Sequence, residues 1–539
     1  MVSQQPLLST QTLSSLAMEH TNLIAIIVTA IVLLVVRRRL AFSRMHSPNV
    51  PIPSGASWIW GHQRLVFDGG VGGAYSRWAA ELSSHVFKIK QAIKGDEILI
   101  VLDPTAINHV FQKHIYEYYQ LDRPKIARMI GRSIAWVAEE KEHQRMKQLF
   151  NPALTAEVVR EGAQNVIDAA ENFRSYMESY LTSQDPANKG IDISIPEWTL
   201  NATLEVIGRF GFGHDFGSGR SPDAKGILSA WRNMTSMITN AKNFEVVMLF
   251  RNLPFIDSIP IKALRSYGNV RLSIHERVGT SGPRLSGLVY DDQLYGNDML
   301  SRLLFANRVN RLPLVELQDH VTTFVMAGSE TTSTSISFAI WELARHPEIQ
   351  EQLRKELHSF PAQPTYDQIM SKMPLLDAVV RESLRMHPAV PYMEREACHD
   401  DVIPLKHSFV DPQGVQRSEV VVTAGQKIVV PVLSVNRLDS IWGDGSVFRP
   451  SRWSEPLPAK EDLLGGFSHI LSFSDGPRTC VGWRLALFEM KVMVAMLTYN
   501  FKFEDTGAEV DTKVASSLNP IEVGKEELGP RLPVKISLA

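Results

Sequence analysis

The chain contains 539 residues, of which 44% are hydrophobic and 21% charged, and its 56 Lys and Arg against 58 Asp and Glu leave a net charge of −2. A nucleic-acid-binding protein needs a strong basic surplus to replace phosphate counterions, so this class is excluded. The two cysteines, Cys398 and Cys480, rule out a disulfide framework and do not form a CxxC or zinc-finger spacing. Any chemistry on sulfur is therefore carried by one thiol.

An apolar run near the amino terminus, residues 23–36, is followed at once by three arginines. The run is short for a bilayer span, which needs about 20 apolar residues, so a signal-peptide core or a buried helix are alternatives. Residues 1–22 contain no Lys or Arg, and the basic cluster follows the run, which favours an anchor over a signal peptide. By the positive-inside rule, residues 1–22 are predicted to be non-cytosolic, residues 23–39 to form a membrane anchor and basic stop, and the remaining chain to be cytosolic.

Residues 40–57 are predicted to form a hinge, because prolines at 48, 51 and 53 favour extended geometry and block a continuing helix. Beyond the hinge, residues 58–539 are predicted to form one domain, mainly α with small β-sheets. Apolar residues recur at helical spacing in the segments 141–150, 155–183, 196–211, 223–240, 297–308, 314–346, 347–358 and 375–387.

Two β-rich stretches interrupt the helical pattern. The runs 86–93 and 97–102 are separated by a Lys-Gly-Asp turn, which predicts a hairpin. Further along, the runs 420–422 and 428–430 flank a glycine and are predicted to pair with each other. Residues 436–479 are rich in Gly, Pro and Ser, and an irregular stretch of that length is usually functional or disordered.

The strongest chemical signal begins within this irregular stretch. Residues 473–482 read FSDGPRTCVG and fit the pattern FxxGxRxCxG at every specified position. Cys480 precedes a segment of helical spacing, and a helix amino terminus favours the thiolate that ligates iron. Gly476 and Gly482 lack a Cβ and leave room for a flat ring. A small buried cysteine without a function is the alternative, but it leaves the surrounding Phe473, glycines and Arg478 unexplained.

On this motif the chain resembles the cytochrome P450 family, over about residues 48–535. The resemblance implies the cytochrome P450 fold, haem b as cofactor and Cys480 as the axial ligand of its iron. It also implies that Phe473, Gly476 and Gly482 contribute to binding the haem. A thiolate ligand donates electron density that promotes cleavage of the O–O bond.

A second motif, AGSETT at residues 327–332, lies within the apolar helix predicted over 314–346. Ala327 and Thr331 are four residues apart and share a helix face, where a threonine hydroxyl can bond the carbonyl four residues earlier. In the family, the pattern (A/G)Gx(D/E)T lies over the distal haem face. The resemblance thus implies haem contacts at Ala327 and Gly328 and proton delivery by Glu330 and Thr331, an acid and an alcohol. An ordinary buried helix is the alternative.

Glu382 and Arg385 lie three residues apart in a predicted helix that ends at a proline. Such pairs are usually solvated, but the apolar flanks here favour a buried pair with a third partner. The family pattern ExxR, completed by an arginine in a later PxRx segment, implies that Arg452 is that partner. The three residues are interpreted as a structural lock that supports the haem loop.

Haem carries two propionates that need cationic or hydrogen-bonding partners. The resemblance implies that Arg478 and Arg395 supply two of them. Where the family commonly has WxxxR, this chain has His143 and Lys147, which keep a hydrogen-bond donor and a charge but lose the planar fork of arginine. An exposed His/Lys helix face is the alternative for these two residues.

The resemblance implies a monooxygenase of the endoplasmic-reticulum membrane, single-pass with a cytosolic catalytic domain. It would use O2 to hydroxylate or epoxidise a small apolar substrate, in secondary metabolism. No flavin or nicotinamide fingerprint occurs, so NADPH-cytochrome P450 reductase is the expected electron donor, with cytochrome b5 as a further candidate. Two alternatives remain open: a haem-thiolate isomerase or dehydratase that does not use O2, and a haem carrier or gas sensor.

Overall fold

The computed structural model describes residues 49–93, 96–121, 127, 130–239, 244–245, 248, 271, 274, 299, 313–459 and 463–539. The predicted non-cytosolic segment, the predicted anchor and the first half of the predicted hinge lie outside these residues, as does the predicted helix 297–308 apart from Met299. Within the described ranges, no helix combines the length and the apolar character needed to cross a membrane.

The described chain is mainly helical, as predicted. Its helices are α1 (Gln63–Asp68), α2 (Gly73–Glu81), α3 (Pro104–Asn108), α4 (Glu140–Phe150), α5 (Ala156–Glu161), α6 (Ala163–Gln184), α7 (Ile195–Phe212), α8 (Pro222–Thr239), α9 (Leu314–Arg345), α10 (Pro347–His358), α11 (Tyr366–Ser371), α12 (Pro374–Met386), α13 (Val432–Val435), α14 (Asp439–Trp442) and α15 (Trp483–Asn500). Short helical turns of other types lie at His109–Lys113, Asn151–Ala153, Pro450–Ser454, Phe467–His469, Gly476–Arg478 and Glu526–Leu528.

The predicted helix over 155–183 is divided into α5 and α6 at Gly162. A Cβ at Gly162 would lie 2.5 Å from the ring of Phe210 in α7, so the glycine allows close packing where the chain changes direction. The other predicted helices that fall within the described residues agree with α4, α7, α8, α9, α10 and α12 to within two residues.

The central element is α9, which packs against α7, α12, α15 and strand β9 (Phe501–Asp505). Its carboxyl-terminal half, residues 332–344, is almost entirely buried, which explains why its apolar residues are not confined to one face. The helix ends at Arg345, and the proline at 347 disfavours helical geometry in the residue before it. The motif at 327–332 thus lies in the middle of α9, immediately before its buried half.

The main sheet has the strand order β1–β2–β8–β5–β3, formed by β1 (Val86–Lys90), β2 (Glu97–Val101), β8 (Lys427–Val430), β5 (Met393–Ala397) and β3 (Tyr118–Gln120). The predicted hairpin is confirmed, with Val86 opposite Val101 and Lys90 opposite Glu97. Strand β8 runs parallel to β2 and antiparallel to β5, so it joins the hairpin to the strand that carries Arg395.

The predicted pairing of runs 420–422 and 428–430 is wrong. Strand β7 (Gln416–Val422) pairs with β6 (Asp401–Val410) in a separate two-stranded ribbon, whereas β8 belongs to the main sheet. The burial of the strands gives the reason: three of the four residues of β8 are buried, as suits an interior strand, whereas four of the seven residues of β7 are exposed.

Two further sheets complete the described chain. One has the order β4–β12–β9, with β4 (Ile191–Ser194) and β12 (Pro533–Leu538). The other pairs β10 (Val510–Val514) with β11 (Leu518–Glu522). The turn that joins β10 to β11, residues 515–517, contacts the middle of α9 through hydrogen bonds to Glu330.

Candidate active site

The loop that carries Cys480 is fixed by backbone and side-chain hydrogen bonds. The N–H of Cys480 donates to the carbonyl of Phe473 at 2.9 Å, and the Phe473 side chain is buried. Asp475 accepts from the N–H of Gly476 at 2.7 Å and from Gln112 at 2.8 Å, which ties the loop to the turn at His109–Lys113. Helix α15 begins three residues after Cys480, at Trp483.

The two glycines of the motif have different neighbours. Gly476 has φ +65°, and a Cβ there would lie 2.3 Å from the carbonyl oxygen of Phe111. It is thus required for the close approach of two backbone segments, and its expected contact with the haem stays a prediction. A Cβ at Gly482 would meet nothing within 4 Å, so open space adjoins that residue as expected.

The Cys480 side chain has accessible surface, yet surrounding protein raises the pKa of its thiol by desolvation. The backbone N–H of Gly482 lowers the pKa of the thiol, but burial has the larger effect. Burial thus favours the neutral thiol, contrary to the expected preference for thiolate, and one backbone donor offsets this effect in part. A bound metal ion would supply the remaining stabilisation, since a coordinating thiol is deprotonated.

On α9, Thr331 Oγ1 donates to the carbonyl of Ala327 at 2.7 Å, so the predicted bond to the residue four positions earlier is confirmed. Ala327 is exposed and Thr331 half-buried, although both lie in the middle of a helix surrounded by protein. These two residues thus line interior space on one helix face. A Cβ at Gly328 would lie 2.9 Å from Ile207 of α7, so Gly328 permits close helix packing, and its expected contact with the haem stays a prediction.

Glu330 is half-buried, and its carboxylate accepts hydrogen bonds from Ser516, Ser517 and Trp231. Desolvation raises the pKa of Glu330, and these three donors act in the opposite direction. Sequence reasoning missed the donors, because Ser516 is 186 residues away from Glu330 in a strand turn with no motif.

The four basic residues expected to hold haem propionates influence one another electrostatically. Arg395 is buried, its guanidinium lies 4.9 Å from the ring centre of Phe111, and its Nε has no hydrogen-bond partner among the described residues. Burial lowers the pKa of Arg395 to about 10, and the charge of Arg478 contributes. The charge of Glu394 raises this pKa, but burial and Arg478 have the larger effects, so the charge of Arg395 is only partly compensated.

His143 and Lys147 lie on α4 beside the cysteine loop. Lys147 Nζ donates to the carbonyl of Pro477 at 2.6 Å, and burial lowers the pKa of its ammonium group. Burial also lowers the pKa of His143 to about 4, with contributions from the charges of Arg478 and Lys147. The structure thus brings His143 and Lys147 together with Arg478, and the expectation of an exposed His/Lys face does not describe the buried His143.

This cluster fits the cofactor that the resemblance implies. None of the four basic side chains forms an ion pair with a carboxylate in the part of the chain that the structure describes, and the Nε of Arg395 is unsatisfied. Two propionates would supply the missing negative charge. Tyr116 also belongs to the cluster and was missed: its hydroxyl lies 3.0 Å from His143 Nδ1, and its ring lies 5.3 Å from the Arg478 guanidinium.

The structure brings the three predicted lock residues together in the interior. Glu382 accepts from Arg385 at 2.8 and 2.9 Å and from Arg452 at 2.9 Å, and all three side chains are buried. Two further partners were missed: Trp453 donates to Glu382 at 3.1 Å, and Asp444 accepts from Arg452 at 2.8 Å.

Asn436 connects this lock to the cysteine loop. Arg385 donates to the carbonyl of Asn436 at 3.0 Å, and the Asn436 side chain bonds the N–H of Leu471 and the hydroxyl of Ser472, each at 3.0 Å. Leu471 and Ser472 immediately precede Phe473, whose carbonyl holds the N–H of Cys480. The lock therefore acts on the position of Cys480 through one asparagine.

Comparison with known proteins agrees with this site. The sequence profile of the family described as Cytochrome P450 matches residues 51–525. The chain is similar to cytochrome P450 monooxygenase claQ of Ampulloclitocybe clavipes, with 30% identity over 472 residues that cover 84% of this chain and 86% of that protein. It is also similar to cytochrome P450 monooxygenase 205 of Postia placenta (strain ATCC 44394 / Madison 698-R), with 29% identity over 512 residues, 90% of this chain and 92% of that protein.

Proposed function

The chain belongs to the cytochrome P450 family, and from this premise we propose its function. The relatives to which it is similar are cytochrome P450 monooxygenases. This chain would use haem b and O2 to hydroxylate or epoxidise a small apolar substrate in secondary metabolism. The observation that carries the proposal is the cluster of basic side chains around the Cys480 loop, which has no carboxylate partner among the described residues. When bound, the haem supplies the oxygen chemistry, while the protein supplies the ligand, protons and an enclosed site.

In this proposal Cys480 ligates the iron, and Arg395, Arg478, His143 and Lys147 hold the propionates. Thr331 presents its hydroxyl to the interior space beside Ala327. Glu330, the residue immediately before Thr331, provides the proton. The raised pKa of Glu330 supports this role, because a higher pKa increases the fraction of the acid that carries a proton at a given pH.

We further propose that residues 23–39 anchor the protein in the endoplasmic-reticulum membrane with the catalytic domain in the cytosol. The apolar run followed by arginines supports this orientation. The electron donor would then be NADPH-cytochrome P450 reductase in the same membrane, with cytochrome b5 as an additional donor. Alkaline extraction of the full chain should leave it in the membrane pellet, whereas a chain lacking residues 1–39 should be released; release of both would contradict the anchor.

The decisive test of the haem-thiolate site is the carbon-monoxide difference spectrum of the reduced full-length protein. Wild type and Cys398→Ala should both show the Soret band of thiolate-ligated haem, because Cys398 lies on the main-sheet side and its N–H bonds the carbonyl of Glu117. Cys480→Ala should lose this band. A retained thiolate band in Cys480→Ala would overturn the ligand assignment.

A haem-thiolate isomerase or dehydratase is the second candidate. It would convert its substrate without consuming O2 or NADPH, and would have no use for an acid and an alcohol beside the site. Glu330 and Thr331 are both present, which favours the monooxygenase. With any substrate that shifts the ferric spectrum, NADPH-dependent O2 consumption and product carrying label from 18O2 are expected; product formed under anaerobic conditions would favour the isomerase.

A further inference from the structure

The carboxylate of Glu330 is held from two sides by neutral donors. Ser516 Oγ donates to the two carboxylate oxygens at 2.6 and 2.7 Å, and Ser517 Oγ donates to one of them at 2.7 Å. Trp231 Nε1 of α8 donates to the other oxygen at 3.1 Å. The acid is thus fixed between the turn that joins β10 to β11 and the face of α8.

The charge environment of Glu330 suits a group that gains and loses a proton. Within the described residues, the groups that face it and alter its pKa are Ser516, Ser517 and Trp231, and none of them carries a charge. A Lys or Arg in their place would strongly favour the carboxylate. Hydroxyl and indole donors orient the carboxylate without adding a charge that would oppose its protonation.

The two serines differ in accessibility. Ser517 is buried and lies 3.4 Å from the hydroxyl of Thr334, one turn further along α9. Ser516 is half-buried and is therefore the hydroxyl of the pair that water can reach more easily. A hydroxyl both accepts and donates hydrogen bonds, so Ser516 is able to pass a proton inward.

We propose that Ser516, Ser517 and Trp231 are positioning residues that hold Glu330 as the proton donor of the active site, and that Ser516 is the point at which Glu330 is reprotonated. This inference rests on the proposed monooxygenase function. In the transfer, the Ser516 O–H proton passes to a Glu330 carboxylate oxygen while Ser516 Oγ takes a proton from a hydronium ion of the solvent, which is left as water. One proton moves inward, and no other bond changes.

The first test follows the protonation of Glu330 in the resting holoenzyme, without turnover. Infrared spectra recorded against Glu330→Gln identify the carboxylic-acid C=O band of Glu330, and its intensity against pH gives the pKa. Ser516→Ala and Ser517→Ala each remove a donor that favours the carboxylate, so each should raise this pKa by about one pH unit. Ser516→Thr keeps the hydroxyl and should restore the wild-type value.

Thr512→Val is the matched control, because Thr512 lies on β10 and its hydroxyl accepts from the N–H of Val71 rather than contacting Glu330. It should leave the C=O band and its pKa unchanged. Unchanged titration in both serine variants would overturn the positioning role. Ser516 is half-buried and Ser517 is buried. If one alanine variant does not accumulate, the other still tests the loss of a hydroxyl donor to Glu330.

The second test measures proton supply during turnover. Ser516→Ala should raise the share of NADPH electrons released as peroxide by about 3-fold or more and enlarge the solvent isotope effect, since slower protonation favours loss of peroxide. An unaltered isotope effect and peroxide share would overturn entry at Ser516. Failure of the proposed function gives a different result: absence of a thiolate Soret band in wild type, with the infrared titration still reporting the Glu330 contacts.

Discussion

Lys147 donates a hydrogen bond of 2.6 Å to the carbonyl of Pro477, three residues before Cys480. This contact joins α4 to the loop that carries the proposed iron ligand, and it places an ammonium group beside Arg478. A charged group at this position holds the loop and, under the proposed function, would also attract the propionates. The lysine thus retains the charge of the arginine common in the family while gaining a backbone partner that the sequence did not reveal.

Removing the charge of Lys147 should weaken haem retention. Lys147→Met loses both the propionate attraction and the bond to Pro477, and we expect haem transfer to apomyoglobin to become about 10-fold faster, since a charge-assisted hydrogen bond contributes about 1.5–3 kcal/mol. Lys147→Arg should transfer haem at the wild-type rate or more slowly. Lys141→Met, an exposed position on the same helix, is the control; equal rates for Lys141→Met and Lys147→Met would exclude a propionate role.

Thr331→Ala should divert reducing equivalents to peroxide. The hydroxyl of Thr331 is the polar group that α9 presents beside the exposed Ala327, so its loss removes the proton route while leaving the helix intact. We expect several-fold more peroxide per NADPH consumed. Thr322→Ala is the matched control, because the Thr322 hydroxyl donates to the carbonyl of Gln318 at 3.0 Å in the same way but is buried. Unchanged coupling of NADPH to product in Thr331→Ala would refute the relay.

Glu382→Gln should strongly destabilise the protein. The change leaves Arg385 buried without its anion and leaves Arg452 with Asp444 alone, and breaking a buried pair in this way costs about 3–5 kcal/mol. Thermal unfolding followed by circular dichroism, with the Soret band recorded in parallel, should show both a lower Tm and loss of thiolate-ligated haem, because Asn436 transmits the disturbance to Leu471.

Glu351→Gln is the control for Glu382→Gln. Glu351 forms an exposed ion pair with Arg354 at 2.9 Å, and exposed pairs contribute little because water screens them. Its Tm should stay close to that of wild type. A Tm for Glu382→Gln as high as that of the control would show that the lock does not stabilise the fold.

Local sequence signals were sufficient for much of the helical body and for the hairpin of β1 and β2, because periodicity and turn residues act over a few positions. The lock could be named from Glu382, Arg385 and Arg452, since family motifs mark all three. Trp453 and Asp444 could not be predicted as members of the lock, because no motif marks them. Trp453 reaches Glu382 and Asp444 reaches Arg452 only once the chain has folded.

Contacts between distant segments account for the features that sequence reasoning missed. The partners of Glu330 lie in a strand turn, and β8 pairs with β2, which is more than 300 residues earlier in the chain. Gly476 was interpreted by its motif, whereas its left-handed backbone is required by the nearby carbonyl of Phe111. Such requirements come from tertiary packing, which no single segment specifies.

His143 should make the folding stability of the protein depend on pH. In the structure without bound propionates its pKa is lowered to about 4, chiefly by burial and then by the charges of Arg478 and Lys147, against 6.5 for an ordinary histidine. Between these values the unfolded chain binds a proton that the folded chain does not. Folding stability contributed by neutral His143 is therefore complete above about pH 6.5 and is lost as the pH falls toward 4.

The expected loss for the haem-free protein is up to about 3 kcal/mol in the free energy of unfolding, since each pKa unit corresponds to about 1.4 kcal/mol. Urea unfolding of wild type and His143→Gln at several pH values between 4 and 7 measures it, and His143→Gln should show the smaller decrease because glutamine does not titrate. Bound propionates would offset the charges of Arg478 and Lys147 and raise the pKa of His143. The free energy of unfolding of the holoenzyme should therefore change less with pH than that of the haem-free chain. Identical pH dependences with and without haem would place the propionates away from His143.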